Sequence, residues 1–324
     1  MIKSFFWNRK WFWWAYGVGS VLILLSYGQV RLAVLFNTWY GMFYTIMQKP
    51  AEHTIQEFNA GLERFLVLAA IWIVLGAIMT FVTSHYGLRW REAITNDYLP
   101  RWQLVPVKIE GESQRMQEDP ALFAEIVESL GLQAVNAVMT LIAFIPVLWV
   151  LSKEVKYLFL TDIPGSLVWV ALVITIGGMT ITWFVAQKLP KLEYNNQVVE
   201  AEFRKYLALA EEYKASHSDL TVLFNLFSGV KRNYRRLYFH KGYVDLWLNL
   251  YGQVLVILPY VVMGTSLMAG LATLGVVVQV SNAFGEVRSS LAIFISNWKV
   301  ITRLRSIWMR LHEFEANLNR FQPQ

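Results

Sequence analysis

Charge disappears from this chain for long stretches. Asp, Glu, Lys and Arg are missing from 11–30, 32–48, 65–88, 129–152, 163–187 and 246–285. A helix needs about 20 apolar residues to cross the hydrocarbon core of a bilayer, and a backbone in lipid must satisfy its own hydrogen bonds. The first two runs merge around Arg31 into one span. The last run is too long for one crossing, and Pro259, Gly264 and Gly270 near its middle divide it into two helices and a short turn. The pattern predicts six spans, at about 18–47, 58–88, 121–151, 164–187, 243–263 and 271–298.

Between the spans the period changes rather than vanishes. In "KLEYNNQVVEAEFRKYLALAEE" (191–212), apolar residues at 192, 198, 199, 203, 206, 207 and 209 form a helical stripe. The connections on this side, 89–120 and 188–242, are long, charged and helical in pattern. Those on the other side, near 48–57, 152–163 and 264–270, are short. Rods that outrun the membrane on one face are therefore expected. The charged stretch "IEGESQRMQED" (109–119) sits at the hinge between spans two and three, with Asp119-Pro120 reading as an N-cap and first helical residue of span three.

Composition agrees. The chain is 56% hydrophobic and 16% charged with a mean hydropathy of +0.38, whereas soluble domains carry about 25% charged residues. An all-α, polytopic membrane protein is expected. Lys3, Arg9 and Lys10 ahead of an apolar run resemble a signal peptide, but the run continues as a long Trp-rich helix, which favours an uncleaved first span. Lys and Arg number 24 on the side of the two ends and the long connections, against 4 on the other. That bias predicts both termini in the cytoplasm. The net charge of +6 then reflects topology and attraction to anionic membrane lipids, and no nucleic-acid partner is needed to explain it.

The chemistry available is narrow. Without Cys there is no disulfide or thiolate site, and the five histidines (53, 85, 217, 240, 312) show no metal-ligand spacing. No nucleophile–base constellation appears, so neither a cofactor, a metal nor an enzyme activity is expected. The P-loop string G-x-x-x-x-G-K-[ST] is absent, and about 25 residues after span six leave no room for a nucleotide-binding domain. By fold-level analogy, six spans with two long inner connections are half of the membrane part of exporter-type ABC transporters. Residues 1–315 are expected to be one six-span domain, with 316–324 a short cytoplasmic tail.

A resemblance narrows this further. "SHYGLRWREA" (84–93), "EGESQRMQED" (110–119), "VNAVMTLIAFIPVLWVLS" (135–152), "KLPKLEYNNQVVEAEFRK" (188–205), "KRNYRRLYFH" (231–240), "LGVVVQVSNAFGEVRSSLAIFISNW" (274–298) and "RLHEFE" (310–315) closely resemble, in order, the SbmA/BacA peptide-transporter family. The resemblance runs from about Asn37 to Glu315. It implies a homodimeric bacterial inner-membrane protein with an exporter-like membrane fold and no ATPase domain. Such a protein imports peptides, including microcin-like and Pro-rich peptide antibiotics, with the proton gradient. Family members often begin with an additional membrane segment, so this chain looks like a shorter form.

Proton coupling needs carboxylates in semi-buried places, where burial changes proton affinity. The resemblance implies that Glu118, Glu128, Glu193 and Glu200 belong to a ladder of acids lining an inner cavity. Glu286 stands inside span six, where the family suggests Gln, and Arg31 stands on span one, where it suggests an acid; Arg31 then neutralises or replaces one rung. Glu125 and Glu128 share a helical face and should point together, toward the cavity or span four. Tyr40, Tyr44, Tyr86 and Trp90 are candidate cavity aromatics, since Arg- and Pro-rich peptides stack on aromatic rings. His85 is a candidate relay. Two other readings compete: a permease that borrows a separate ATPase through 100–120 and 206–232, and a membrane scaffold or receptor.

Overall fold

The computed structural model describes residues 1–107, 111–155, 158–214 and 219–320, and among them it is all helix and connecting turns. Ile109 and Glu110, at the start of the charged stretch, and His217 lie outside the described residues. The chain opens with a short helix α1 (Ile2–Phe6), followed by 3-10 and π turns over Arg9–Trp11 and Trp13–Val18. The longer helices among the described residues are α2 (Gly19–Gln48), α3 (Ile55–Gln103), α4 (Glu112–Leu151), α5 (Ser166–Ala186), α6 (Leu189–Glu212), α7 (Leu220–Met268), α8 (Leu274–Ser296) and α9 (Trp298–Arg320).

Among the described residues, five helical stretches are long and apolar enough to cross a membrane: Arg9–Gln48, Ile55–Gln103, Glu112–Glu154, Ser166–Glu212 and Leu220–Met268. α8 is not among them, although it forms where span six was expected. The reason is visible in its packing. α8 lies against α2 and α4 and buries Val277, Val280, Ala283 and Val287 almost completely. A helix face packed against protein can carry Gln279, Asn282 and Glu286, all half-buried, which a lipid-facing helix carries only at high cost. By contrast α3 leaves Ile71, Ile73, Val74 and Phe81 exposed, as a helix facing hydrocarbon does.

Two expected helix boundaries are displaced. α4 starts at Glu112 behind Gly111, whose φ of 68° a side chain would strain, and Pro120 lies inside the helix. Asp119 is therefore not a cap; its carboxylate is occupied elsewhere. α7 runs unbroken through Pro259 and Gly264, and the turn falls after Met268 at Gly270, whose φ is 71°. At the far end, α9 continues past 315 to Arg320 and buries Leu318.

Two compact units are distinguishable: Met1–Leu172 with Pro259–Gln324, and Val173–Leu258. In the first, α2, α3, α4 and α8 pack together. The backbones of α2 and α8 approach most closely where a Cβ on Gly275 would overlap the Gly41 carbonyl. Beside that contact Thr45 and Thr273 share a hydrogen bond of 2.8 Å, and the Gln48 side chain accepts one from the Leu274 amide at 2.6 Å. In the second unit, Trp247 donates to Thr182 at 2.9 Å and Tyr251 to the Ile174 carbonyl at 3.2 Å.

Candidate functional site

Within the first unit, α2 and α8 present polar side chains to each other in an otherwise apolar setting. Asn37, Tyr40, Ser281, Asn282 and Glu286 line a partly open cavity of about 380 Å³, with Trp72 and Phe144 also on its wall. Glu286 is half-buried. Asn37 is 3% exposed and its amide oxygen has no hydrogen-bond partner among the described residues, which is costly unless something occupies the cavity. The cavity is thus a place where a carboxylate, two amides and a phenol meet inside a helix bundle. Tyr44 is half-buried one turn from Tyr40, their rings 6.2 Å apart. Arg31, on the same helix, is exposed and does not line the cavity.

A second carboxylate lies deeper toward the end of the bundle where α1 and α9 pack. Glu128 is half-buried and sits so close to Gly87 of α3 that a Cβ there would overlap its carboxylate oxygen. Its contact is therefore with span two, not span four. Glu125 is exposed, so the shared helical face separates in environment: one carboxylate is tucked against a glycine and its neighbour is not. Glu118 is exposed and accepts from Gln114 at 3.2 Å. His85 is hydrogen-bonded to its own helix at the Phe81 carbonyl.

Tyr86 and Trp90 are core residues rather than wall aromatics of this cavity. Tyr86 is 8% exposed and donates to the Ala15 carbonyl at 3.2 Å. Trp90 stacks on Phe5 at 5.3 Å. Both are covered by the first residues of the chain folding back, a tertiary event that the residue pattern on α3 does not encode.

Next to them is an ion cluster that the sequence did not suggest. Asp119, fully buried, accepts from Arg310 through Oδ1 at 2.5 Å and Oδ2 at 3.0 Å, and from Arg115 at 3.2 Å. The hydrogen bond to Asp119 pushes the Arg310 guanidinium above its ordinary value. A bidentate pair of this kind fixes both position and angle of α9 on α4.

Glu193 and Glu200 belong to the second unit, on α6. Glu200 lies between two hollows, one shared with Asn196, Arg204 and Tyr234 and the other with Phe227, Arg235 and Tyr238 of α7. Glu193 is half-buried. The four acids of the expected ladder are therefore divided, two in each unit.

Residues 8–319 match the SbmA/BacA-like family. The chain belongs to that family. It is also 25% identical over 91% of its length to the inner membrane ABC transporter ATP-binding protein YddA of Escherichia coli, covering 56% of that protein. It is 24% identical over 93% of its length to ABC transporter D family member 2, chloroplastic, of Arabidopsis thaliana, covering 42% of it. A third relative, an uncharacterized ABC transporter ATP-binding protein of Synechocystis, is 23% identical over 79% of the chain and 40% covered. The chain spans about half the length of the curated relatives it matches. It is thus a multi-pass membrane protein of a transporter family whose relatives are named as ABC transporters.

For this SbmA/BacA-like protein, sequence reading named Glu286 and Tyr40 but overlooked Asn37. The signal was present: an uncharged but strongly polar amide in the middle of an apolar span seeks a partner inside the protein. The pairing of Asp119 with Arg310 had no such signal, because 191 positions separate the two.

Proposed function

We propose that this protein is a secondary transporter of the bacterial inner membrane that imports peptides, driven by the proton gradient, as a homodimer with both termini in the cytoplasm. The observation that carries this reading is the cavity at Glu286, a carboxylate held with Asn37, Tyr40 and Asn282 inside the α2–α4–α8 bundle. Proton uptake at a half-buried acid changes with whether its pocket is open to water, which is the coupling a proton-driven carrier needs. Glu128 against Gly87 supplies a second such acid nearer the other end of the same unit. At about 380 Å³ the cavity is too small for a peptide, and drug-sized ligands alone fill about 300–1000 Å³. The peptide path is accordingly proposed to lie between two copies. α1 and α9 pack at one end of the first unit, so the chain between them crosses an even number of times. This supports counting α8 as the sixth span.

The names of the relatives favour one alternative: a membrane component that works with an ATPase supplied separately. One experiment separates the two. Purified protein is sealed into vesicles and uptake of a labelled Pro- or Arg-rich peptide is followed. Uptake under an imposed pH gradient, abolished by a protonophore and unchanged by ATP, is expected. Uptake that requires ATP and an added ATPase moves the assignment to the alternative.

A further inference from the structure

α1, α3, α4 and α9 enclose a groove of about 1150 Å³. Trp90, Phe123, Ile301 and Leu304 give it an apolar wall, while Lys3, Arg9 and Arg305 stand at it exposed. None of these three cations has an ion pair among the described residues. The acids in the same groove are already engaged: Asp97 receives Arg101 at 2.8 Å, and Glu315 receives the Met1 amine and the Tyr98 hydroxyl. Trp90 is 5% exposed, yet its indole N–H has no acceptor among the described residues. A buried indole N–H without an acceptor is unusual. The groove therefore combines uncommitted positive charge, one uncommitted buried donor and an apolar wall.

Its height relative to the bilayer points to an occupant. On the spans expected from the sequence, Trp90 follows the end of span two near 88 and Phe123 follows the start of span three near 121, which would open the groove where the hydrocarbon core gives way to headgroups. The flanking segment exposes Trp7, Phe12 and Trp13, rings that favour this same interface.

We propose that the groove binds a phosphate-bearing amphiphile, an anionic phospholipid of the bilayer. Its phosphate lies among Lys3, Arg9 and Arg305, and an acyl chain lies along Phe123, Ile301 and Leu304. The lipid would join the N-terminal segment to α9. This rests on spans two and three crossing the membrane as read above, and not on which solute is carried.

The test uses the full chain, purified and stripped of lipid, with binding of dioleoylphosphatidylglycerol, dioleoylphosphatidylcholine and inorganic phosphate read by native mass spectrometry. Phosphatidylglycerol is expected to bind in preference to phosphatidylcholine, and inorganic phosphate at the same concentration should not displace it. Each cation removed should weaken binding about fivefold, the scale of one basic residue at an anionic surface. The Lys3→Gln, Arg9→Gln, Arg305→Gln triple variant should therefore lose the preference, and Lys231→Gln with Arg235→Gln in the other unit should keep it. Should the triple variant not be monodisperse, Arg305→Gln alone, at an exposed position, carries the test. Equal binding of the two lipids, displacement by inorganic phosphate, or a triple variant that binds like the wild type overturns the proposal. None of these readouts involves uptake, so a protein that moves no peptide would still report on the groove.

Discussion

Glu128 owes its surroundings to the absence of a side chain at Gly87, since any Cβ there would occupy the space of its carboxylate. We expect Glu128→Gln to preserve expression and assembly but to lose uptake driven by a pH gradient, because the amide keeps the shape and removes the exchangeable proton. Wild-type rates with unchanged pH dependence would remove Glu128 from the coupling path. Ser113→Ala, at an exposed position in the first turn of α4, should leave the same assay unchanged. Asp119 has a different job. Its own exposure is zero, while the two guanidinium groups that it holds are partly exposed, so removing it leaves both without their acceptor but within reach of solvent. Asp119→Ala should cost about 1.5–3 kcal/mol of stability, the scale of losing hydrogen bonds to charged groups, read as a lower melting temperature in detergent. Combining it with Arg310→Leu should recover part of that loss, because one unpaired charge is then gone.

At the scale of helices, α2 and α8 are held close by Gly41 and Gly275, with Gln279 packed directly on Gly41. A methyl group at Gly275 would meet backbone rather than a side chain able to turn away. We expect Gly275→Ala to cost about 1–3 kcal/mol, as overpacking does. Gly285→Ala in the same helix has open space and should be neutral or slightly stabilising, since alanine is the better helix former. Thermal melts of the two variants decide this, and equal melting temperatures would mean that the two helices separate readily. α9 is amphipathic, burying Ile307, Leu311, Phe314 and Leu318, so its stripe was legible in principle. What it packs against was not.

For the whole molecule, the prediction concerns assembly. One chain supplies five candidate spans among the described residues, six if α8 is counted as proposed above, and closed two-fold pairing is the common way such a half becomes a whole. α7 exposes Phe224, Tyr238, Phe239, Tyr243 and Leu246, which gives a second copy a large aromatic surface to cover. Crosslinking in native membranes should capture a dimer through cysteines introduced in 188–242. Monomer alone, across a range of expression levels, would sink this.

The sequence by itself determined the class and the order of the helices. Spans 18–47 and 164–187 differ by only one or two residues at each end from α2 and α5, and span three ends with α4 at Leu151, because hydropathy and length are local quantities that a bilayer reads directly. It also named Glu286, an ionisable residue inside the expected sixth span, whereas the role expected of Glu128 came from the family resemblance. It misplaced the start of α4, because the Asp-Pro pair carries a local capping signal whichever role the fold gives it. Only the tertiary structure decided that Asp119 would hold Arg310, that Phe5 would cover Tyr86 and Trp90, and that Glu128 would meet Gly87. Each of these joins residues remote in sequence, and such pairings are set by which helices pack together rather than by the period of any one of them.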